Sequence, residues 1–277
     1  MVVFAASAAL APAHADNGND RADPLIEETV VIGDREAAMK IAGSGTVLNQ
    51  LKLDLADHTD LHQIVASVPG IYIRQEDGYG LRPNIGIRGA TTDRSQKITM
   101  MEDGILIGPA PYSAPAAYYV PNTARIHAVE ILKGPAAIKY GPHTVGGAIN
   151  FVTTPVPDSN TGTLDLSMGN DGYLKTQAEL GLRLNDQMGL LVDALDYRSD
   201  GFKELSNGGG TGFARNDFNI KFKWRPASRL PSILTMKVGF AAEDSDETYL
   251  GLADSDFAAN PDKRYAASER DGFESEH

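Results

Sequence analysis

Arg82, Arg88, Arg94 and Lys97 fall within sixteen residues of a chain whose formal charge is −12. A guanidinium offers parallel N–H donors to a planar anion, so a local basic cluster of this kind suits a ligand carrying carboxylates or phosphates. The competing reading is that some of these arginines close structural salt bridges, Arg88 above all, because it sits inside the strand-like run IGIRG at 85–89. Both readings stay open at this level. The same stretch contributes Tyr79 and Gln96, and a proline-fixed loop at 109–119 contributes Tyr112. Rigid rings on such a loop suit recognition, and they suit packing against a wall equally well. Catalytic chemistry finds no support. His58, His62, His127 and His143 are dispersed, and neither an HExxH spacing nor a cysteine is present. The glycine-rich run at 141–147 lacks the Walker lysine-serine pair and the dinucleotide GxGxxG, and His143 within it reads as turn chemistry.

The elements that must carry these loops are short. Leu53, Leu55, Leu61, Ile64, Val65 and Val68 predict a short helix around 61–68, capped by Thr59 or Asp60 and stopped at Pro69-Gly70. Strands are expected at 71–73, 85–89, 98–101, 105–107, 129–132 and 148–152, with a tight turn at 102–104. Together they make a small mixed α/β domain centred on 126–150. After a hinge at about 154–157 the pattern changes to repeated strands and turns. Leu164, Leu166 and Met168 alternate with polar residues, as do Ala178, Leu180, Leu182 and Leu184. Met188, Leu190, Val192 and Ala194 form a third apolar face, blurred by Leu191 and Leu195 on the other side. Phe218, Ile220, Phe222 and Trp224 oppose Asp217, Asn219, Lys221 and Lys223 without exception, and Leu234, Met236, Val238 and Phe240 form a fifth face. Such runs are long enough to cross a bilayer as tilted strands, and compact turns alternate with longer polar loops. A soluble β-sandwich has the same alternation. Five strands, with a sixth expected near Tyr265, do not close a barrel around a domain of this size, so the chain reads as a fragment.

The 37 acidic against 25 basic side chains argue against a nucleic-acid partner. Without cysteine there are no disulfides or thiolate metal sites, and no apolar run is long enough for a transmembrane helix. Residues 2–12 are apolar and alanine-rich, and Ala13-His14-Ala15 has the small-x-small pattern of an export-signal cleavage site, although basic residues before it are missing. EETVVIG at 27–33 is β-prone without a sequence neighbour to pair with. It is an edge strand, or a strand offered to the sheet of another protein.

Residues 27–153 resemble the plug domain of TonB-dependent outer-membrane receptors. The resemblance rests on IGIRG at 85–89, MEDG at 101–104, VEILKGP at 129–135, Tyr140-Gly141 and GGAIN at 146–150. GLRPNIGIRG at 80–89 with PAPY at 109–112 resembles the ferric citrate receptor branch. The resemblance implies an α/β plug domain followed by the first strands of an antiparallel transmembrane β-barrel, 22-stranded in the complete family. It divides the chain into a signal-peptide remnant at 1–15, a periplasmic linker at 16–37, a plug at 38–156 and an incomplete N-terminal part of the barrel at 157–277. It further implies TonB-driven uptake of an anionic ferric chelate, ferric citrate first among the options, another siderophore or metal chelate second. A nonfunctional truncated product is a third option. Arg82, Arg94, Gln96, Lys97, Tyr79 and Tyr112 are then the expected substrate contacts, and Glu28, Thr29, Val30, Val31, Ile32 and Gly33 the TonB box. The expected partners are TonB, the ferric chelate and outer-membrane lipid, with a monomeric receptor in the outer membrane of a Gram-negative bacterium and the box reached from the periplasm. No resident metal or cofactor is expected, since iron travels inside the substrate.

Overall fold

The computed structural model describes residues 2–10, 30–33, 35–56, 60–75, 79–107, 119–205, 210–228, 232–246, 251–264 and 275–276. Two compact units result, one spanning Asn19–Pro155 and the other Val156–His277 together with Met1–Gly18. The chain begins with strand β1 (Val2–Leu10), which belongs to the second unit.

In the first unit α1 (Arg35–Met39) leads into β2 (Ser44–Leu48), followed by α2 (Gln50–Ala56), α3 (Leu61–Ala66), β3 (Ile71–Arg74) and β4 (Asn84–Ile87). Next come β5 (Ile98–Glu102), β6 (Ile105–Leu106), β7 (Ile126–Lys133) and β8 (Gly147–Thr153). Five of the strands form one sheet in the order β2-β7-β8-β5-β6, while β3 and β4 pair separately. Only β5 and β8 run parallel. The central strands are covered on both faces, which is why they read as nearly continuous apolar runs. Val129 and Ile131 of β7 pack into a core with Ile85, Ile87, Ile98, Met100, Ile149 and Phe151. Leu132, next along the strand, lies in a second cluster with Ile32, Ala38, Met101, Ala137 and Ala148.

α3 buries Leu61, Ile64 and Val65, the i, i+3, i+4 stripe expected of it. Its cap is Asp60, whose carboxylate accepts from the His62 N–H at 2.7 Å. β2, α1 and α2 are absent from the sequence expectation. α2 explains why: Leu51 and Leu55 are exposed and Leu53 alone of its leucines packs, half-buried, against the core, which is too little for a stripe.

The second unit is an antiparallel sheet of β9 (Thr161–Met168), β10 (Leu174–Arg183), β11 (Met188–Ser199), β12 (Phe213–Trp224) and β13 (Ser232–Ser245), each paired with its sequence neighbour. Register brings Leu180 opposite Val192, Val192 opposite Ile220 and Ile220 opposite Val238. Flanking pairs such as Ala194 with Phe218 and Phe218 with Phe240 extend the same apolar band. On the opposite face Asp193, Arg215, Asp217, Asn219 and Lys221 are buried, with Arg215 3.7 Å from Asp217 and 3.6 Å from Glu243. An exposed apolar face backed by a buried, charged one is the reverse of a water-soluble sandwich and the pattern of a membrane barrel. Leu191 and Leu195 lie on that second face, buried, which accounts for the blurred alternation of β11.

Within the long connection after β13, α4 (Asp254–Ala259) has no buried residue and so left no periodic signal. The expected sixth strand near Tyr265 falls outside the described residues, apart from β14 (Ser275–Glu276), which pairs with β13. β1 lies along the other part of that β13 edge, from Val2 opposite Phe240 to Leu10 opposite Ser232. No helix among the described residues is long and apolar enough to cross a membrane.

Candidate functional site

The loops before and after β4 are held to each other by buried side chains. Asn84 is the hub. Its Oδ1 accepts the Arg94 N–H at 2.7 Å, its Nδ2 donates to the Arg82 carbonyl at 3.2 Å, and its own N–H donates to His62 Nε2 at 2.9 Å. An accepting Nε2 puts the ring proton on Nδ1, which lies 3.1 Å from Asp60 without good hydrogen-bond alignment. Fully buried Ser95 supplies the second clasp: its hydroxyl donates to the Pro83 carbonyl at 2.9 Å and accepts the Ile85 N–H at 3.0 Å. Arg94 and Ser95 take φ of 46° and 55°, a left-handed bend that L side chains resist and that these bonds sustain. Asp60 also fills the space beside Gly80, where a side chain would come within 2.0 Å of its Oδ1.

Two of the expected contact residues, Arg82 and Arg94, are therefore brought together by one amide side chain. Arg94 and Lys97 are exposed, Arg82, Gln96 and Tyr79 partly so, and Gln96 donates to Asp93 at 2.9 Å. Tyr112 lies outside the described residues. Arg88 leaves the cluster: it ends β4 at the opposite side, where its N–H donates to the Gly70 carbonyl and its guanidinium lies over Gly134. There Lys133 donates to the Pro69 carbonyl at 2.9 Å, and burial, then the Arg88 charge, pushes its ammonium pKa down. His62 serves here as a structural acceptor. Among the described residues no group of three or more His, Asp or Glu is placed to hold a metal ion.

A second constellation surrounds Glu130, in the middle of β7. Its carboxylate is 1 % exposed. Oε2 accepts the Val31 N–H at 2.7 Å and the Asn150 amide at 2.8 Å, while Oε1 accepts the N–H groups of Ile32 at 2.8 Å and Gly33 at 2.7 Å. Hydrogen bonds to an anion are strong enough to keep such a charge buried. The expected strand at 27–33 is thus a bend over its described part, 30–33, with Glu28 and Thr29 outside the described residues. Three successive N–H groups turned toward one carboxylate leave no ladder for a strand.

Asn150 carries the network on, its Oδ1 accepting the Gly104 N–H at 2.9 Å. Beside it Asp103 accepts from the Thr153 N–H and hydroxyl at 2.8 and 2.7 Å. Farther along, Arg125 lies 3.0 Å from Glu102, Tyr119 donates to the same carboxylate at 2.6 Å, and Arg125 also donates to the Tyr119 hydroxyl. Sequence reasoning quoted Glu130 and Asn150 only as motif letters. The available signal was a single acid inside the apolar run IHAVEILK, an unusual place for an unpaired charge.

The family described as TonB-dependent Receptor Plug Domain matches residues 37–148. Over those residues the chain is similar to the plug of TonB-dependent receptors. Its fold is the α/β plug followed by the opening strands of an antiparallel barrel, as expected. A vitamin B12 transporter, BtuB, of Vibrio vulnificus strain YJ016 is 25% identical over 163 residues, 59% of this chain and 26% of that protein. In fold, the chain resembles the unliganded ferric citrate transporter FecA with a TM-score of 0.69 at 20% identity, covering 84% of this chain and 36% of the other. The ferric yersiniabactin uptake receptor FyuA of Yersinia pestis gives 0.64 at 21% identity, over 76% and 33%. The chain thus spans about a quarter to a third of the length of these proteins.

Proposed function

We propose that the receptor to which this chain belongs takes up an anionic ferric chelate, ferric citrate first among the chemistries that fit, with energy supplied through TonB. The observation that carries the substrate class is the Asn84 hub, which ties the backbones of Arg82 and Arg94 together on a rigid loop. Two fixed guanidinium-bearing residues, with Lys97 and Gln96 near them in sequence, match a ligand that presents several carboxylates. Tyr79 and Tyr112 are assigned lesser contacts.

Residues 28–33 are assigned as the TonB box, within a linker at 16–37. Residues 38–156 form the plug and 157–277 the first part of the barrel, with lipid against the band that includes Val192, Ile220 and Val238. Residues 1–15 are assigned to an export signal, and in the mature receptor the β13 edge that β1 covers is then free for the next barrel strand. A monomer is the expected state.

The test is ferric citrate binding to the full-length receptor, comparing wild type with Arg82→Ala and Arg94→Ala. Each loss of a charge-assisted hydrogen bond is worth about 1.5–3 kcal/mol, so affinity should fall about 10- to 100-fold. Unchanged affinity in both variants removes the assignment. Wild-type receptor that ignores ferric citrate but binds another ferric chelate keeps transport and replaces the substrate.

A further inference from the structure

β10 and β11 each carry one glycine where the chain crosses their polar face. A Cβ on Gly181 would fall 2.2 Å from Pro157 Cγ, and one on Gly189 2.7 Å from Val156 Cγ1, so the segment 156–158 lies directly on the two strands. Beside that crossing is a cavity of about 250 Å3, built wholly from the second unit. It has room for about eight waters, less than the roughly 300–1,000 Å3 of pockets for drug-sized ligands. A small group fits it.

Three cations line this cavity. Gly189 stands opposite Arg183 on one side and Lys223 on the other, so all three share the polar face, and Arg225 follows Lys223 with the same parity. The walls are fixed. The Asn185 side chain accepts the N–H groups of Gln187 and Met188 at 2.8 and 2.9 Å, and the Arg225 N–H donates to the Gln187 carbonyl at 2.7 Å. Two carboxylates compete for the guanidinium groups, Asp186 2.5 Å from Arg183 and Asp158 3.4 Å from Arg225. Their side chains are 91% and 82% exposed, and ion pairs so open to water are weak. Arg225 Nε, by contrast, is a buried donor without an acceptor among the described residues, and such a donor calls for one.

We propose that this cavity binds the phosphate of a glycerophosphate, carried by a membrane phospholipid or by a free phosphate ester. Guanidinium and ammonium groups arriving from two strands can each take a different oxygen of a tetrahedral anion. The surroundings favour lipid. Trp224, the last residue of β12, pairs with Met188 and Leu234 at the end of the apolar band, and aromatic residues at strand ends mark the level of the headgroups. Lys223 and Arg225 flank it in sequence. The lipid source rests on reading 157–277 as the first part of a barrel; the phosphate chemistry does not.

The experiment uses the full-length receptor in a phosphate-free sugar detergent. Amide hydrogen exchange at 183–189 and 223–225 is followed as glycerol phosphate is added, against sodium chloride of equal ionic strength. Retention of phosphatidylglycerol is measured by native mass spectrometry. Glycerol phosphate should protect these amides where chloride does not, and Arg225→Gln should raise the concentration needed about tenfold. Arg183→Gln, at a half-exposed side chain, should do the same without disturbing the fold. Lys203→Gln, beyond the far end of β11, should leave binding as in wild type. Lower lipid retention in the two arginine variants supports the proposal with lipid as the source. Protection by glycerol phosphate with retention unchanged supports it with a soluble ester. Absent protection, or an equal loss in Lys203→Gln, overturns it. Neither readout involves a ferric chelate, so the outcome is separate from that of the substrate assignment.

Discussion

Ser95→Ala is the sharpest probe of how the plug holds its basic loop. The hydroxyl is fully buried and serves two backbone groups, the Ile85 N–H at 3.0 Å and the Pro83 carbonyl at 2.9 Å. Alanine leaves both without that partner, and each buried unsatisfied group costs about 1–3 kcal/mol. Neighbouring losses do not add fully, so the expected cost is about 2–4 kcal/mol. At 1.36 kcal/mol per factor of ten, amides of β4 should exchange about 30- to 900-fold faster in the full-length receptor, if they exchange through opening of this loop. Ferric citrate binding should weaken as well, because Arg82 and Arg94 lose part of their fixed placement. Ser95→Gly makes the comparison more exacting. It removes the same bonds, but at φ 55° it sheds a left-handed penalty of roughly 1–2 kcal/mol against a chain-entropy cost of about 0.4–1 kcal/mol. The glycine variant should therefore be no less stable than the alanine one. Exchange of β4 within twofold of wild type in Ser95→Ala, or a glycine variant clearly worse than alanine, refutes the reasoning.

Arg125→Met leaves Glu102 buried beside Tyr119 with its cation removed, for which about 3–5 kcal/mol of local stability is expected to be lost. Exchange protection of β5 and β7 reports it, and Arg125→Met with Glu102→Leu should recover more than half of the loss. Asp60 predicts a pH effect. Burial raises its pKa, but the hydrogen bonds it accepts from His62 and Gln75 outweigh that and hold it below the ordinary 3.8. A depressed carboxylate stabilises the fold above the unfolded value, and that contribution disappears as pH falls through the lower folded value. Protection of α3 and of the loop at 79–84 should accordingly decline below a pH of about 4, and Asp60→Asn should flatten the decline while lowering protection at neutral pH.

Binary pattern settled much of this molecule before any contact was known. Leu180, Val192, Ile220 and Val238 alternate with polar residues because a strand has a period of two, and the pairing merely set them side by side. Asp60, Ile64, Val65 and Pro69 announced α3 through its cap, stripe and stop. The strands from β3 to β8 were legible for the same local reasons. What depended on tertiary structure was chemistry between residues far apart in sequence. Arg88 and Arg94 are six apart and looked like one cluster, yet β4 carries Arg88 to Gly134 and leaves Arg94 with Asn84. The VVIG segment has the composition of a strand, but its conformation is decided by Glu130, about a hundred residues away, whose buried charge takes up the N–H groups a strand would have shared. Periodicity encodes which face a side chain lies on; only the folded chain decides which donors a buried carboxylate must find.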